Sequence, residues 1–144
     1  MPSGSCSCGK IKVSVEGEPV AQGLCHCLDC RKVSGSAFTV NAVVKAEHFH
    51  VTGTPKAWHK VADSGNKIVN YFCGDCGSPV YGRGSFGDNY VVRMGLMDHD
   101  GLEGAKPSVE CFSERRLTWI SPCEGANSLV GMGNAHSKVA ESKA

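Results

Sequence analysis

Three tight groups of cysteine limit what this chain can fold into. Cys6-Ser7-Cys8, Cys25-His26-Cys27-Leu28-Asp29-Cys30 and Cys73-Gly74-Asp75-Cys76 hold seven of its nine cysteines, and Cys111 and Cys123 stand alone. Dense cysteine means disulfides in secreted proteins and metal or redox chemistry in intracellular ones. The count is odd, and the start Met-Pro-Ser-Gly-Ser-Cys lacks the basic and apolar segments of a secretory signal. Both points argue against a disulfide framework and for a cytoplasmic protein. Spacing argues more strongly. Disulfides gain most by closing long loops, whereas thiolates within one turn of chain can share one tetrahedral ion at about 2.3 Å per bond. Soft thiolates favour zinc, with iron–sulfur the minor alternative. Glycines inside and after the Cys73/Cys76 pair suit a knuckle in which backbone amides approach the sulfurs.

Seven ligands divide as four plus three. The simplest partition joins Cys6 and Cys8 to Cys73 and Cys76 in a closed, structural site. Cys25, Cys27 and Cys30 then form a three-ligand site with a position left open, the pattern of catalytic zinc. A rival partition pairs the triplet with one member of another cluster. Two zinc ions per chain are expected. His26 lies between two ligands and is expected to point away from their ion. Cys111 and Cys123 read as small hydrophobes or inert thiols.

The chain has 144 residues, a net charge of +1 and 41% hydrophobic residues, which suits one globular domain and excludes wholesale disorder. Near-neutral charge gives no reason to expect nucleic acid or a membrane surface as partner. The longest apolar run, Val40–Val44, is broken by Asn41, far short of the roughly 20 residues needed to span a bilayer. Lys10–Glu16 alternates as a half-buried strand. Further strands are expected at 20–24, 37–44, 49–52, 57–61, 67–72, 79–81 and 90–96, and weaker ones at 109–112 and 117–120. The 57–61 and 67–72 strands form a hairpin around Asp63-Ser64-Gly65-Asn66. Residues 27–33 suit one or two helical turns. The expected fold is mainly β, with antiparallel sheets in a single domain over 1–123, followed by a flexible tail over 124–144.

Gly4-Ser5-Cys6-Ser7-Cys8-Gly9-Lys10, the stretch from Cys25 to Phe38 with its Ser34-Gly35-Ser36, and Phe72-Cys73-Gly74-Asp75-Cys76-Gly77-Ser78-Pro79 follow one another in order. Together they resemble the glutathione-dependent formaldehyde-activating enzyme family, which includes centromere protein V. Gly95-Leu96-Met97-Asp98 and Trp119 are weaker echoes of the same pattern, and the resemblance covers roughly residues 4–122. It implies a zinc-stapled β-tent of antiparallel sheets. It also implies structural zinc on Cys6, Cys8, Cys73 and Cys76 and catalytic zinc on Cys25, Cys27 and Cys30. The implied activity joins formaldehyde to the glutathione thiol or cleaves that carbon–sulfur bond. One departure stands out: Glu110 follows Pro107 by three residues where many members carry histidine.

A three-thiolate zinc carries net negative charge, which favours thiol chemistry over carbonyl activation. Arg31, with Lys32, is a candidate to receive a substrate carboxylate, and Ser34 and Ser36 are candidates to hydrogen-bond substrate. His48, His50, His59 and His99 are candidates for proton transfer. The leading reading is a carbon–sulfur lyase acting on a small-molecule, glutathione-type thiol adduct. Its alternatives are a zinc enzyme on a sulfur-free metabolite and a non-catalytic interaction module. A basic extension would mark the last, and the chain has none. Oligomeric state stays open, a homo-oligomer included.

Overall fold

The computed structural model describes residues 1–62 and 65–133. Strands β1 (Ser3–Ser5) and β2 (Lys12–Val15) are followed by β3 (Ala21–Cys25), helix α1 (Leu28–Ser34) and β4 (Thr39–Val44). Then come β5 (Phe49–Thr52), β6 (Lys56–Val61), β7 (Lys67–Phe72), β8 (Pro79–Arg83) and β9 (Tyr90–Arg93). Short helix α2 (His99–Glu103), β10 (Val109–Cys111) and β11 (Asn127–Ser128) follow. These strands form two sheets, β1-β2-β5 and β11-β10-β3-β4-β9-β8-β7-β6. The chain is thus mainly β with few helices, as its strand-length alternations require.

The period of two in β2 turns Val13 and Val15 inward, and Ile11 joins them just ahead of the strand. With Phe49 of β5 they close on Ala42, Val44, Val80 and Val92 of the larger sheet. Each such buried valine contributes roughly 1.5–3 kcal/mol. Gly4 of β1 lies tight against the segment after β9: a Cβ there would lie 1.9 Å from the Leu96 carbonyl oxygen.

All pairings are antiparallel except β3–β10 and β10–β11, which are parallel. β10 reaches the outer edge of β3 only after the crossover through α2, so no hairpin reverses it. The hairpin of β6 and β7 forms with Val61 opposite Lys67; Asp63 and Ser64 of its turn lie outside the described residues. Two strand expectations differ from the structure. Residues 90–96 stop extending at Arg93 and close a 3-10 turn over Met94–Leu96. Residues 117–120 form a turn, with the Ile120 amide bonded to the Leu117 carbonyl at 3.0 Å and Trp119 turned to solvent.

The segment from Glu124, expected as a tail, is built into the fold as far as it is described. The Asn127 amide bonds to Ser108 and the Leu129 amide to Glu110, at 2.9 and 2.8 Å, and Met132 is buried against Phe112. The segment covers an edge that β10 would otherwise leave unpaired. Residues 134–144 of the expected tail lie outside the described residues.

Candidate metal centres and the adjoining cavity

The two knuckles at Cys6/Cys8 and Cys73/Cys76 meet at the seam of the sheets. Each is a tight turn: the Gly9 amide bonds the Cys6 carbonyl and the Gly77 amide bonds the Cys73 carbonyl, at 3.0 and 2.8 Å. Gly9 and Gly77 take φ of 80° and 79°, a left-handed conformation that side chains rarely adopt. The Ser7 amide bonds Ser78 Oγ and so ties one knuckle to the other. The four sulfurs lie within 4.8 Å of one another. Cys8 Sγ is 3.6 Å from Cys6 Sγ and 3.7 Å from Cys73 Sγ. Sulfurs about 2.3 Å from one tetrahedral ion would stand about 3.8 Å apart, so the set fits a metal. The Ser78 hydroxyl and amide and the Cys8 amide hold the Cys76 thiol down at about 5, and the Ile11 amide donates to Cys6 Sγ at 3.3 Å.

The second centre is built by the end of β3 and the start of α1. Cys25 ends the strand, Cys27 is the helix N-cap and receives the Cys30 amide at 3.3 Å, and Cys30 lies in the first turn. Their sulfurs also lie within 4.8 Å of one another. Bonds from Cys25 and Cys27 hold Cys30 well below its ordinary value against the effect of burial, with help from the Arg93 charge and the Thr39 hydroxyl. Cys25 is pushed well up by its bonds with Cys27 and Cys30 and by burial. The Cys25 bond lowers Cys27, but Cys30 and burial outweigh it and leave Cys27 at about 12. Within the trio, Cys30 is thus the thiol most readily ionised, and Cys25 and Cys27 resist ionisation.

His26 points away from the trio, as its place between two ligands requires. Fully buried, it meets Glu110 Oε2 with Nε2 at 3.1 Å and packs on Phe38. Glu110 is thus committed to the interior, where it also accepts from Arg116 Nε at 2.8 Å and from the Cys123 amide. It lies on the opposite face of β10 from Val109 and Cys111, which line a cavity.

That cavity, of about 180 Å³, opens beside the trio. Cys25, Cys27 and Cys30 line it, and the four cysteines of the first centre do not. Its walls are mostly apolar: Val43, Ile68, Val91, Phe86, Leu129 and Met132. Arg31, Lys32, Ser34 and Ser36 lie outside it, as do His48, His50, His59 and His99. Ser34 instead finishes α1, its hydroxyl donating to the Cys30 carbonyl at 2.7 Å, and its Oγ receives the Ser36 amide. The cavity's polar lining comes from Arg93, Asn41, Asn70, Arg83, Arg115 and Asp29, with Gln22 and Ser85. Asn41 had a signal in the sequence, as the one polar residue within Val40–Val44. Arg93 and Asn70 break apolar strands in the same way, but on different strands. Lone Cys111 also lines the wall, register-paired with Cys25; burial and the nearby charges of Cys30 and Glu114 push its thiol up to about 11.

These features define a class: a two-sheet β protein with two cysteine centres suited to metal, one closed and one on a cavity. A family model for the glutathione-dependent formaldehyde-activating enzyme matches residues 1–115. The chain belongs to that family. Two fungal relatives carry the family's name. That of Emericella nidulans is 30% identical over 103 residues, which is 69% of this chain and 52% of the relative. That of Aspergillus flavus is 30% identical over 78 residues, 54% of this chain and 40% of the relative. The chain thus spans about half the length of these relatives. A crystal structure of a Rhodobacter sphaeroides protein shares the fold, with a TM-score of 0.54 at 20% identity over 67% of this chain and 88% of that one. No helix among the described residues is long and apolar enough to cross a membrane.

Proposed function

We propose that this protein is a zinc enzyme that makes or breaks a carbon–sulfur bond in a small thiol adduct of the glutathione–formaldehyde kind. The observation that carries this is the division of the cysteines: four close on one another away from the cavity, and three face it. The all-sulfur donor sets fit zinc. Cys6, Cys8, Cys73 and Cys76 would hold one ion, and Cys25, Cys27 and Cys30 another. Zinc at the trio supplies an electrophile that favours the thiolate form of a substrate thiol over the thiol.

The chain's own residues do the rest. The apolar walls exclude water around the reacting sulfur, which strengthens every polar contact there. α1 fixes two of the three sulfurs in one helical turn, so the site is ordered before substrate arrives. In the forward direction the sulfur–carbon bond forms as the aldehyde carbonyl opens, and the thiol proton ends on the new hydroxyl. Cleavage is the reverse, and neither direction needs an oxidant or reductant. The family matched here supports glutathione as the thiol and formaldehyde as the aldehyde. A cytoplasmic, glutathione-rich setting suits this reading.

Two measurements test it. Elemental analysis of the purified protein is expected to find about two zinc ions per chain; less than about one, with the thiols in disulfides, refutes it. Thiol-dependent loss of formaldehyde is expected to be faster than in buffer and to vanish in Cys27→Ser. Activity retained in that variant would remove the trio from the chemistry.

A further inference from the structure

Arg93 lines the cavity with a charge that no carboxylate among the described residues cancels. Its two Nη groups donate to Asn41 Oδ1 and Asn70 Oδ1, each at 3.0 Å. These amide oxygens orient a guanidinium but do not neutralise it. No carboxylate among the described residues pairs with it. Its Nε is buried without a partner. The arrangement is built across four neighbouring strands, β4, β9, β8 and β7. Asn41 faces Arg93 in the β4–β9 register, and Asn70 faces Gly82 in the β7–β8 register. The guanidinium reaches over Gly82, where a Cβ would lie 3.1 Å from Nη2 and 3.2 Å from Asn70 Oδ1. A larger residue there would crowd the fork by a few tenths of an ångström.

Apart from the sulfurs, the other charged side chains of the wall are mostly cations. Arg83 and Arg115 line the same cavity, and its carboxylate, Asp29, is already held by Lys60 at 2.5 Å. A fixed guanidinium in the mostly apolar wall of a cavity that three sulfurs also line matches a molecule with a thiol at one end and an anion at the other. A planar fork suits a carboxylate better than a neutral hydroxyl.

We propose that Arg93, held by Asn41 and Asn70, receives a carboxylate of the substrate thiol, so that the cavity selects carboxylate-bearing thiols over neutral ones of similar size. This rests on the reading that a thiol is held at the trio. The competing role for Arg93, offsetting the negative charge of the sulfurs alone, would act on both kinds of thiol alike.

Calorimetric titration of the metal-loaded protein with mercaptoacetate and with 2-mercaptoethanol separates the two roles. Comparing wild type with Arg93→Met and Arg93→Lys at equal metal content cancels the intrinsic difference between the thiols. Loss of the charged fork should weaken mercaptoacetate about tenfold or more. Binding of 2-mercaptoethanol should stay within about twofold of wild type. Arg93→Lys should keep part of the preference, because charge survives and the fork does not. Equal loss for both thiols in Arg93→Met, or no preference in wild type, overturns the assignment and leaves the thiol site standing. Binding of neither thiol by wild type overturns both readings together. Should Arg93→Met fail to fold or to keep metal, an undiminished preference in Arg93→Lys overturns the assignment, and a clear reduction upholds it.

Discussion

Glu110 is 1% exposed and takes hydrogen bonds from His26, from Arg116 and from the Cys123 amide. It joins the loop between two cysteines of the trio to the segment that leads into β11. Removing one partner of a buried ionic network strands the others, at a cost of about 3–5 kcal/mol. Glu110→Gln should therefore lower the stability measured by urea unfolding by about 3 kcal/mol, with the slope unchanged. The acid side gives a second check. Burial raises the Glu110 carboxyl, but the Cys123 amide, Arg116 and His26 outweigh it and hold it below the ordinary 4.5. A depressed folded value means that its contribution is present above the unfolded pKa and is lost as pH falls through the folded one. The urea midpoint of wild type should thus drop more steeply than that of Glu110→Gln as pH falls below the ordinary 4.5. Parallel curves would show that the carboxylate is not the group involved. The position was legible in sequence only as a departure from a family pattern. Its interior role needed the fold, because His26, Glu110 and Arg116 meet only once β3 and β10 pair.

Among elements, the knuckles and the close contact at β1 carry the most risk. Cys6 and Cys73 are both buried in the core cluster that joins the sheets. Cys6→Ser should accordingly unfold the chain or strip its closed centre, read as loss of the cooperative thermal transition, whereas Cys27→Ser should leave that transition nearly in place. The reverse pattern would refute the division of the cysteines into a structural and a cavity centre. Gly4→Ala would drive a Cβ to 1.9 Å from the Leu96 carbonyl oxygen, so β1 must part from the 3-10 turn. A cost of about 2 kcal/mol or more is expected from such overpacking, and a thermal midpoint equal to that of wild type would contradict it. The strands themselves were largely legible, because alternation marks a half-buried strand locally. Less legible were β11 and the walls supplied by Leu129 and Met132. A short, Gly-rich segment earns its order from the β10 edge it covers, not from its own pattern.

For the whole molecule, the cysteine groups were visible in sequence, but the cavity beside the trio was not. Asn41, Asn70 and Arg93 sit on three strands that only the sheet order brings together. With both cysteine centres loaded, seven thiolates against two divalent ions take the formal +1 of the chain to about −2. The open, three-ligand centre should give up its ion to mild chelation before the closed one, leaving the fold intact. In that state the bonds from Cys25 and Cys27 favour the ionised form of Cys30, while Cys25 is pushed well up and Cys27 to about 12. Returning zinc to the trio in weakly buffered solution near pH 7 should therefore release fewer than three protons per chain, followed with a pH indicator. A count of three would mean that Cys30 enters as a thiol and that its neighbours do not favour its charge.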